Sequence, residues 1–297
     1  MFLILEQFTT EFGQGLCRIA KSMGIETMCF TAAELASKAT IGLYLSNYGS
    51  EFSMRIHDRR IESGQLLGTY CSLNFFDAAL WSHFEAGDAD YAARETSALW
   101  LAILSSLKCP VINPPAMDTL GGTVLSPVEF LDLARRHGFQ IPALVSVESG
   151  AVASELEGAG ACITFTDLGE ELECEREMGR DAILSPASVG NCFRIREYAP
   201  GDPVWITVVG DTFFAVMGGA GEATAVSPMV NVPDLIRERL KALQLVQNLR
   251  LAEYRLSLTS DGVWVMNGIE RQPLMCLRVH GDRVLASVVT AATMAAS

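Results

Sequence analysis

The sequence has no C-x-x-C pair, no H-E-x-x-H, no G-x-S-x-G and no apolar run approaching the roughly 18 residues of a membrane span. Zinc ribbons, zincin proteases, serine hydrolases of the nucleophile-elbow type and membrane-spanning helices are not expected. Positive charge is also scarce: 22 Lys and Arg stand against 35 Asp and Glu, a formal net charge of −13. Nucleic acid and anionic membranes both require a basic surface, so neither is an expected partner, and little cationic charge is left for a triphosphate. The opening MFLILEQF carries no basic leader, which makes the cytoplasm the default expectation.

The eight cysteines (Cys17, Cys29, Cys71, Cys109, Cys162, Cys174, Cys192 and Cys276) are scattered singly. They read as small core residues in a reducing compartment. Cys109 and Cys192 have no sequence-adjacent base that would make either a nucleophile. His57, His83, His137 and His280 are isolated and read as structural or surface residues.

What is present is a 297-residue chain, 49% hydrophobic, long enough for two or three lobes around substantial cores. Phe2–Glu6 reads as a buried strand, Gly13–Met23 as a helix and 24–30 as the next strand, a β-α-β opening of an α/β lobe. Gly13-Gln14-Gly15 stands where a dinucleotide fingerprint begins, but Arg18 holds the third glycine position, so the motif is a weak one. Short strands and turns follow over 53–81. Tyr91–Leu107 has helical spacing and stops at Pro110, which marks a natural lobe boundary. Ser126-Pro127 with Glu129 reads as a capping box with proline at the first helical position, and that helix is closed by Gly138. A strand is expected over 139–145, and between Glu148 and Asn191 the periodic signal weakens.

The chain is organised around Phe193–Met217, FRIREYAPGDPVWITVVGDTFFAVM. It reads as a strand, a Pro-Gly-Asp-Pro loop, and a hairpin pinned at Gly210-Asp211. Asp234–Asn248 follows as a helix with Leu235, Leu240, Leu243 and Val246 inward. Two strands about Asp261-Gly262 and a closing helix over 284–296 complete the reading.

The wording E-Y-A-P-x-D, then I-T-V-V-G-D, resembles a strand pair of the RimK-like branch of ATP-grasp ligases. Tyr91–Glu95, Val111-Ile112-Asn113-Pro114, Leu125-Ser126-Pro127, Gly138-Phe139, Ile141-Pro142 and Thr259-Ser260-Asp261-Gly262 extend that likeness, in order, over nearly the whole chain. In character it is similar to the microviridin-type, peptide-macrocyclising branch. The resemblance implies an α/β architecture (α+β lobes): a pre-ATP-grasp lobe over 1–115, a reduced ATP-grasp N-terminal subdomain over 116–192 and a C-terminal subdomain over 193–297. It places Glu197, Tyr198 and Trp205 on the wall of a nucleotide cleft and makes Glu270 the candidate metal ligand.

Such ligases activate a carboxylate as an acyl phosphate with ATP, which needs cations on the phosphates and acidic or amide oxygens on magnesium. Carried onto this sequence, the first phosphate lysine falls on Ser126, and the strand candidate 161–165 has no lysine for the second. The expected arginine falls on Trp205 and the expected metal-binding aspartate on Arg255. The final E-x-N pair falls on Gly268 and Glu270, or, slipped by two, on Glu270 and Gln272. Losing one preorganised transition-state group costs about 2.7–4 kcal/mol, so four or five such losses remove on the order of 10 kcal/mol.

Two readings follow. The chain is a degenerate ATP-grasp-like pseudoenzyme serving as a binding or assembly module for a peptide or partner ligase, with no cofactor. Alternatively it is an active ATP-dependent carboxylate–amine ligase using ATP and Mg, drawing phosphate ligands from Arg194, Arg196 or Lys241 with Glu270 on the metal. The possible partners include a second copy of the chain in a homo-oligomer. On the degenerate reading, Glu270 is a salt-bridge partner of Arg271 or Arg255.

Overall fold

A computed structural model of the chain describes residues 1–47, 49–116, 119–142, 144–147, 163–167, 193–197, 201–219, 222–229 and 231–294. It is a mixed α/β structure with one parallel and three antiparallel sheets. None of its helices among the described residues is long and apolar enough to cross a membrane.

The parallel sheet has the order β2-β1-β6-β7, from Thr27–Thr31, Phe2–Glu6, Gly68–Ser72 and Val111–Ile112. Every residue of β1 is buried, as expected of a central parallel strand covered on both faces. Helix α1, Glu11–Ser22, returns from β1 to β2 and is N-capped by Thr10, whose hydroxyl accepts from Gly13 N at 3.0 Å. The buried Glu6 carboxylate accepts the Thr10 hydroxyl and lies against Gly13, where a methyl group would collide with it. A protein carboxylate therefore stands at the helix N-terminus where a dinucleotide would need its pyrophosphate, and Gly13 makes room for that carboxylate.

Helix α2, Ala32–Lys38, carries a Thr31/Glu34 capping box and leads into a second sheet, β3-β4-β5, of Ala39–Ser46, Gly49–Ile56 and Arg59–Glu62. Of the short strands expected over 53–81, those up to Glu62 belong to a sheet that starts earlier, at Ala39, with a strand the sequence pattern does not announce; Gly68–Ser72 is β6 of the parallel sheet, and Ala78–Trp81 is a single 3-10 turn rather than a strand. Phe52, Met54, Ile56 and Ile61 of this sheet share a core with Leu3, Leu5 and the long helix α3, Ala86–Ser106.

Helix α4, Pro127–Arg136, begins with the expected capping box: Ser126 N donates to Glu129 Oε2 at 2.9 Å and Glu129 N to Ser126 Oγ at 3.3 Å. The strand expected over 139–145 is displaced. Gln140 makes only an isolated parallel bridge to Val265, and the strand proper is β8, Leu144–Val147. β10, Phe193–Glu197, pairs antiparallel with β8 and with β9, Ile163–Asp167. Most of the weakly patterned 148–191 lies outside the described residues.

The five-stranded sheet has the order β13-β12-β11-β14-β15: Glu222–Pro228, Thr212–Gly219, Asp202–Val209, Leu251–Leu258 and Trp264–Glu270. Its hairpin turn is at Gly210-Asp211, and Gly210 adopts the positive φ of 54° that such a turn requires. One face packs on α4 and on α5, Asp234–Val246. The inward set of α5 is Ile236, Leu240, Leu243 and Gln244, whereas Leu235 and Val246 are exposed. The expected pattern has the right helix but runs its apolar face out of phase at both ends; the tie that sets the phase is Gln244, whose side-chain amide donates to Val208 O at 3.0 Å. The other face receives α6, Leu274–His280, and α7, Asp282–Thr293, which also pack on α1 and β1. The closing helix expected over 284–296 is α7, which starts two residues earlier and ends at Thr293; α6 precedes it as a separate, unanticipated helix, and Gly281, with φ 52°, stands between them.

The described cysteines divide by environment. Burial pushes the Cys71 and Cys276 thiols up to about 12, whereas a hydrogen bond from Cys29 holds Cys17 below its ordinary value. At pH 8 a thiol of pKa about 12 is thiolate in roughly one molecule in ten thousand. Brief iodoacetamide labelling of the native protein at pH 8, mapped by mass spectrometry, should therefore modify Cys17 well before Cys71 or Cys276. The helix phase is tested by urea unfolding: Leu243→Ala should cost about 2–5 kcal/mol and Leu235→Ala under about 0.5 kcal/mol.

Candidate functional site

The candidate site is the face of the five-stranded sheet opposite α4 and α5. Strand pairing lines its residues up in transverse rows. Trp205 of β11 lies opposite Arg255 of β14, which lies opposite Gly268 of β15. The next row runs Thr207, Glu253, Glu270. Side chains directly opposite across strands share a face, so each row is a set of immediate neighbours.

A bulge fixes this register. Arg255 pairs with Gly268 while Leu256 pairs with Met266, so Asn267 is an extra residue in β15. Its amide donates to Ser257 Oγ at 2.8 Å. Met266 is buried in the core, and the extra residue then turns Gly268 and Glu270 toward the opposite face.

Gly268 is what allows Arg255 to lie as it does. A Cβ at 268 would come within 2.9 Å of Arg255 Nη2 and 3.1 Å of Nε, so the guanidinium lies across the bare backbone. From there Nη2 approaches Glu270 Oε1 at 3.6 Å, with both side chains about one-third exposed. Arg271 turns the other way, donating to Gly121 O at 3.1 Å and Asn74 Oδ1 at 2.6 Å.

Glu253 is a carboxylate on this face that the family resemblance does not single out. It is buried and accepts three hydrogen bonds, from Thr207 Oγ1 at 3.0 Å, Met275 N at 3.0 Å and Cys276 N at 2.8 Å. The last two are unpaired N–H groups of the first turn of α6, so Glu253 caps that helix from a neighbouring strand. Its position two residues before Arg255 in a strand is the available signal, since residues two apart share a face.

The remaining expected site residues are dispersed. Glu197 ends β10, opposite Ile163 in a different sheet from Trp205, and Tyr198 lies outside the described residues. Arg194 and Arg196 are in β10, opposite Thr166 and Thr164 of β9. Lys241 is on α5 in an ion pair with Asp211 at 2.6 Å. Ser126 is the cap of α4.

Magnesium takes several oxygen ligands in an octahedron and is usually bound through one or two carboxylates plus phosphates. The row of Arg255 and Gly268 offers it a guanidinium and no side-chain oxygen, and the Glu253 oxygens already accept from three donors. Among the described residues no three His, Cys, Asp or Glu side chains converge as a metal cluster. In these two rows that leaves Glu270 as the carboxylate open to the ion, with the Arg255 guanidinium 3.6 Å away, a donor set poorly suited to magnesium.

No protein-family model matches the sequence, and no curated protein does. Solved structures do match along nearly the whole length. The macrocyclase MdnC from Microcystis aeruginosa, bound with precursor peptide MdnA, superposes with a TM-score of 0.74 at 14% identity, covering 98% of each chain. A ligase from Chryseobacterium gregarium, a RiPP-associated ATP-grasp enzyme in complex with ADP and a leader and core peptide, gives 0.73 at 14%, covering 97% of this chain and 95% of that one. A RimK domain ATP-grasp protein from Sphaerobacter thermophilus gives 0.56 at 13%, covering 98% and 99%. The chain has the ATP-grasp ligase fold.

The two carboxylates on this face should behave differently in stability measurements. A double-mutant cycle on Arg255 and Glu270, read by urea unfolding, should give a coupling below about 1 kcal/mol that shrinks in added salt, because the pair is long and solvent-screened. Glu253→Ala should cost about 3 kcal/mol or more, since it leaves two helix N–H groups and a buried hydroxyl without an acceptor.

Proposed function

We propose that this chain is a peptide-engaging protein on the ATP-grasp ligase fold, acting as a non-catalytic binding or assembly module for a peptide or a partner ligase. The observation that carries this reading is the Trp205–Arg255–Gly268 row, with Arg255 paired to Glu270. The Arg255 guanidinium, lying across Gly268, sets a positive charge beside the Glu270 carboxylate and repels a divalent cation brought to it. The engagement of a peptide is supported by the likeness to MdnC with its precursor peptide and to the C. gregarium ligase with its leader and core peptide. The lobes 1–115, 116–192 and 193–297 are proposed as the units of this scaffold.

A second reading is favoured by that same full-length likeness, which extends to a ligase holding ADP. On it the chain is an active ATP-dependent carboxylate–amine ligase, with Glu270 released from Arg255 and Arg194 or Arg196 meeting the phosphates. Glu197, Tyr198 and Trp205 would then wall the nucleotide.

Isothermal titration with ATP, with and without magnesium, separates the two. The first reading expects no saturable heat at micromolar to low millimolar nucleotide, and no ADP release with a panel of peptides and amino acids. Micromolar, magnesium-dependent ATP binding overturns it. ADP release that requires a peptide and is abolished by Glu270→Ala establishes the second.

A further inference from the structure

We infer that Cys17 and Cys29 are a peroxide-reactive pair, in which Cys17 is oxidised first and Cys29 then closes it into a reversible disulfide within the chain. Helix α1 packs against β2 and brings the two thiols into contact. Cys17 lies one turn beyond Gly13, the residue whose bare backbone rests on the Glu6 carboxylate. The Cys29 thiol reaches the same carboxylate from the strand, with Sγ 3.6 Å from Glu6 Oε2. Both cysteines are half-buried beside the core under α1, and β2 is the outer strand of the parallel sheet, so solvent reaches the pair.

The one S–H proton of Cys29 sets the two roles. It has two acceptors in reach, the Cys17 sulfur and Glu6 Oε2. Donated to Cys17, it holds that thiol below its ordinary value against the cost of burial, and the Lys21 ammonium one turn along α1 assists. Cys29 is pushed the other way, by that same bond, by burial and by the Glu6 charge. A half-exposed thiol that ionises readily beside a second thiol is the arrangement of an oxidation-sensitive cysteine with its resolving partner. Among the described residues no second thiol stands against Cys71, Cys109 or Cys276, and burial raises all three.

Hydrogen peroxide is small enough for a half-buried thiol. The Cys17 thiolate attacks one peroxide oxygen, the O–O bond breaks, and a sulfenic acid forms while the departing hydroxide takes up the proton that Cys17 gave away. The Cys29 sulfur then attacks the Cys17 sulfur and the S–O bond breaks. The Cys29 proton, for which Glu6 Oε2 is a nearby acceptor, leaves with that hydroxide as water. Two thiols and one peroxide become one disulfide and two waters, and a thiol reductant restores the pair.

The test uses the full chain, reduced and then treated with a small molar excess of hydrogen peroxide at neutral pH before unfolding, alkylation and tryptic mapping. Trypsin cuts after Arg18, Lys21 and Lys38, so the disulfide should join peptide 1–18 to peptide 22–38 with the loss of two hydrogens. Dithiothreitol should separate them, and Cys71, Cys109 and Cys276 should remain free for alkylation. In Cys29→Ala the sulfenic acid has no resolving thiol, and dimedone should capture it on peptide 1–18; in Cys17→Ala, Cys29 should take no dimedone. The link itself is read on the unsubstituted chain, so a variant that fails to fold does not remove the test. Absence of the 17–29 link after peroxide overturns the inference. So does a link from Cys17 to another cysteine in its place, or dimedone on Cys29 in Cys17→Ala.

Discussion

Asn113 holds the two largest sheets to one another. It follows β7 with a positive φ of 54°, is almost fully buried, and spends its whole side chain on the start of β14. Its Oδ1 accepts from Arg250 N and Leu251 N, each at 2.9 Å, and its Nδ2 donates to Leu251 O at 2.9 Å. One amide thereby serves as a strand partner on the edge that β15 does not cover. Breaking it would leave buried backbone groups unpaired, and a buried unpaired group costs more than an average hydrogen bond contributes. Every row of the candidate site is counted from this point, because β14 carries Glu253 and Arg255 and sets the register of β11 and β15 on either side.

The rest of the C-terminal half is tied back in the same way, by polar groups standing in for missing backbone partners. Gln244 reaches from α5 to β11, and Glu253 reaches from β14 to α6. α6 and α7 in turn rest on α1 and β1, so the last helices of the chain complete the core begun by its first strand. Trp205, Arg255 and Gly268 supply none of these ties. The chemistry of that row can differ from that of a ligase while the fold stays the same.

The sequence made some of this visible and hid the rest for identifiable reasons. Ser126 to Glu129 is legible as a capping box because its signals are local, and the Gly210-Asp211 hairpin for the same reason. Thr31 to Glu34 obeys the same rule as Ser126 to Glu129, but with only seven residues of helix behind it no apolar period announces it. β3 is hidden because Leu43, Tyr44 and Leu45 are consecutive apolar residues, although only Ala39, Ile41 and Leu43 rest on the core and Tyr44 and Leu45 are exposed. That an acid would be expected at Arg255 comes from the family resemblance and not from the spacing. That Gly268 is what lets it lie down, and that Glu253 is already committed to a helix end, required the register.

Asn267 shows how little is needed to decouple the two ends of a strand. Before it, Trp264 and Met266 face the core shared with α4 and α5; after it, Ile269 takes that face while Gly268 and Glu270 take the opposite one. A lineage can therefore revise positions 268 and 270 under selection for a new ligand while Trp264, Met266 and Ile269 stay under selection for packing. One added residue divides a single strand into two evolutionary neighbourhoods.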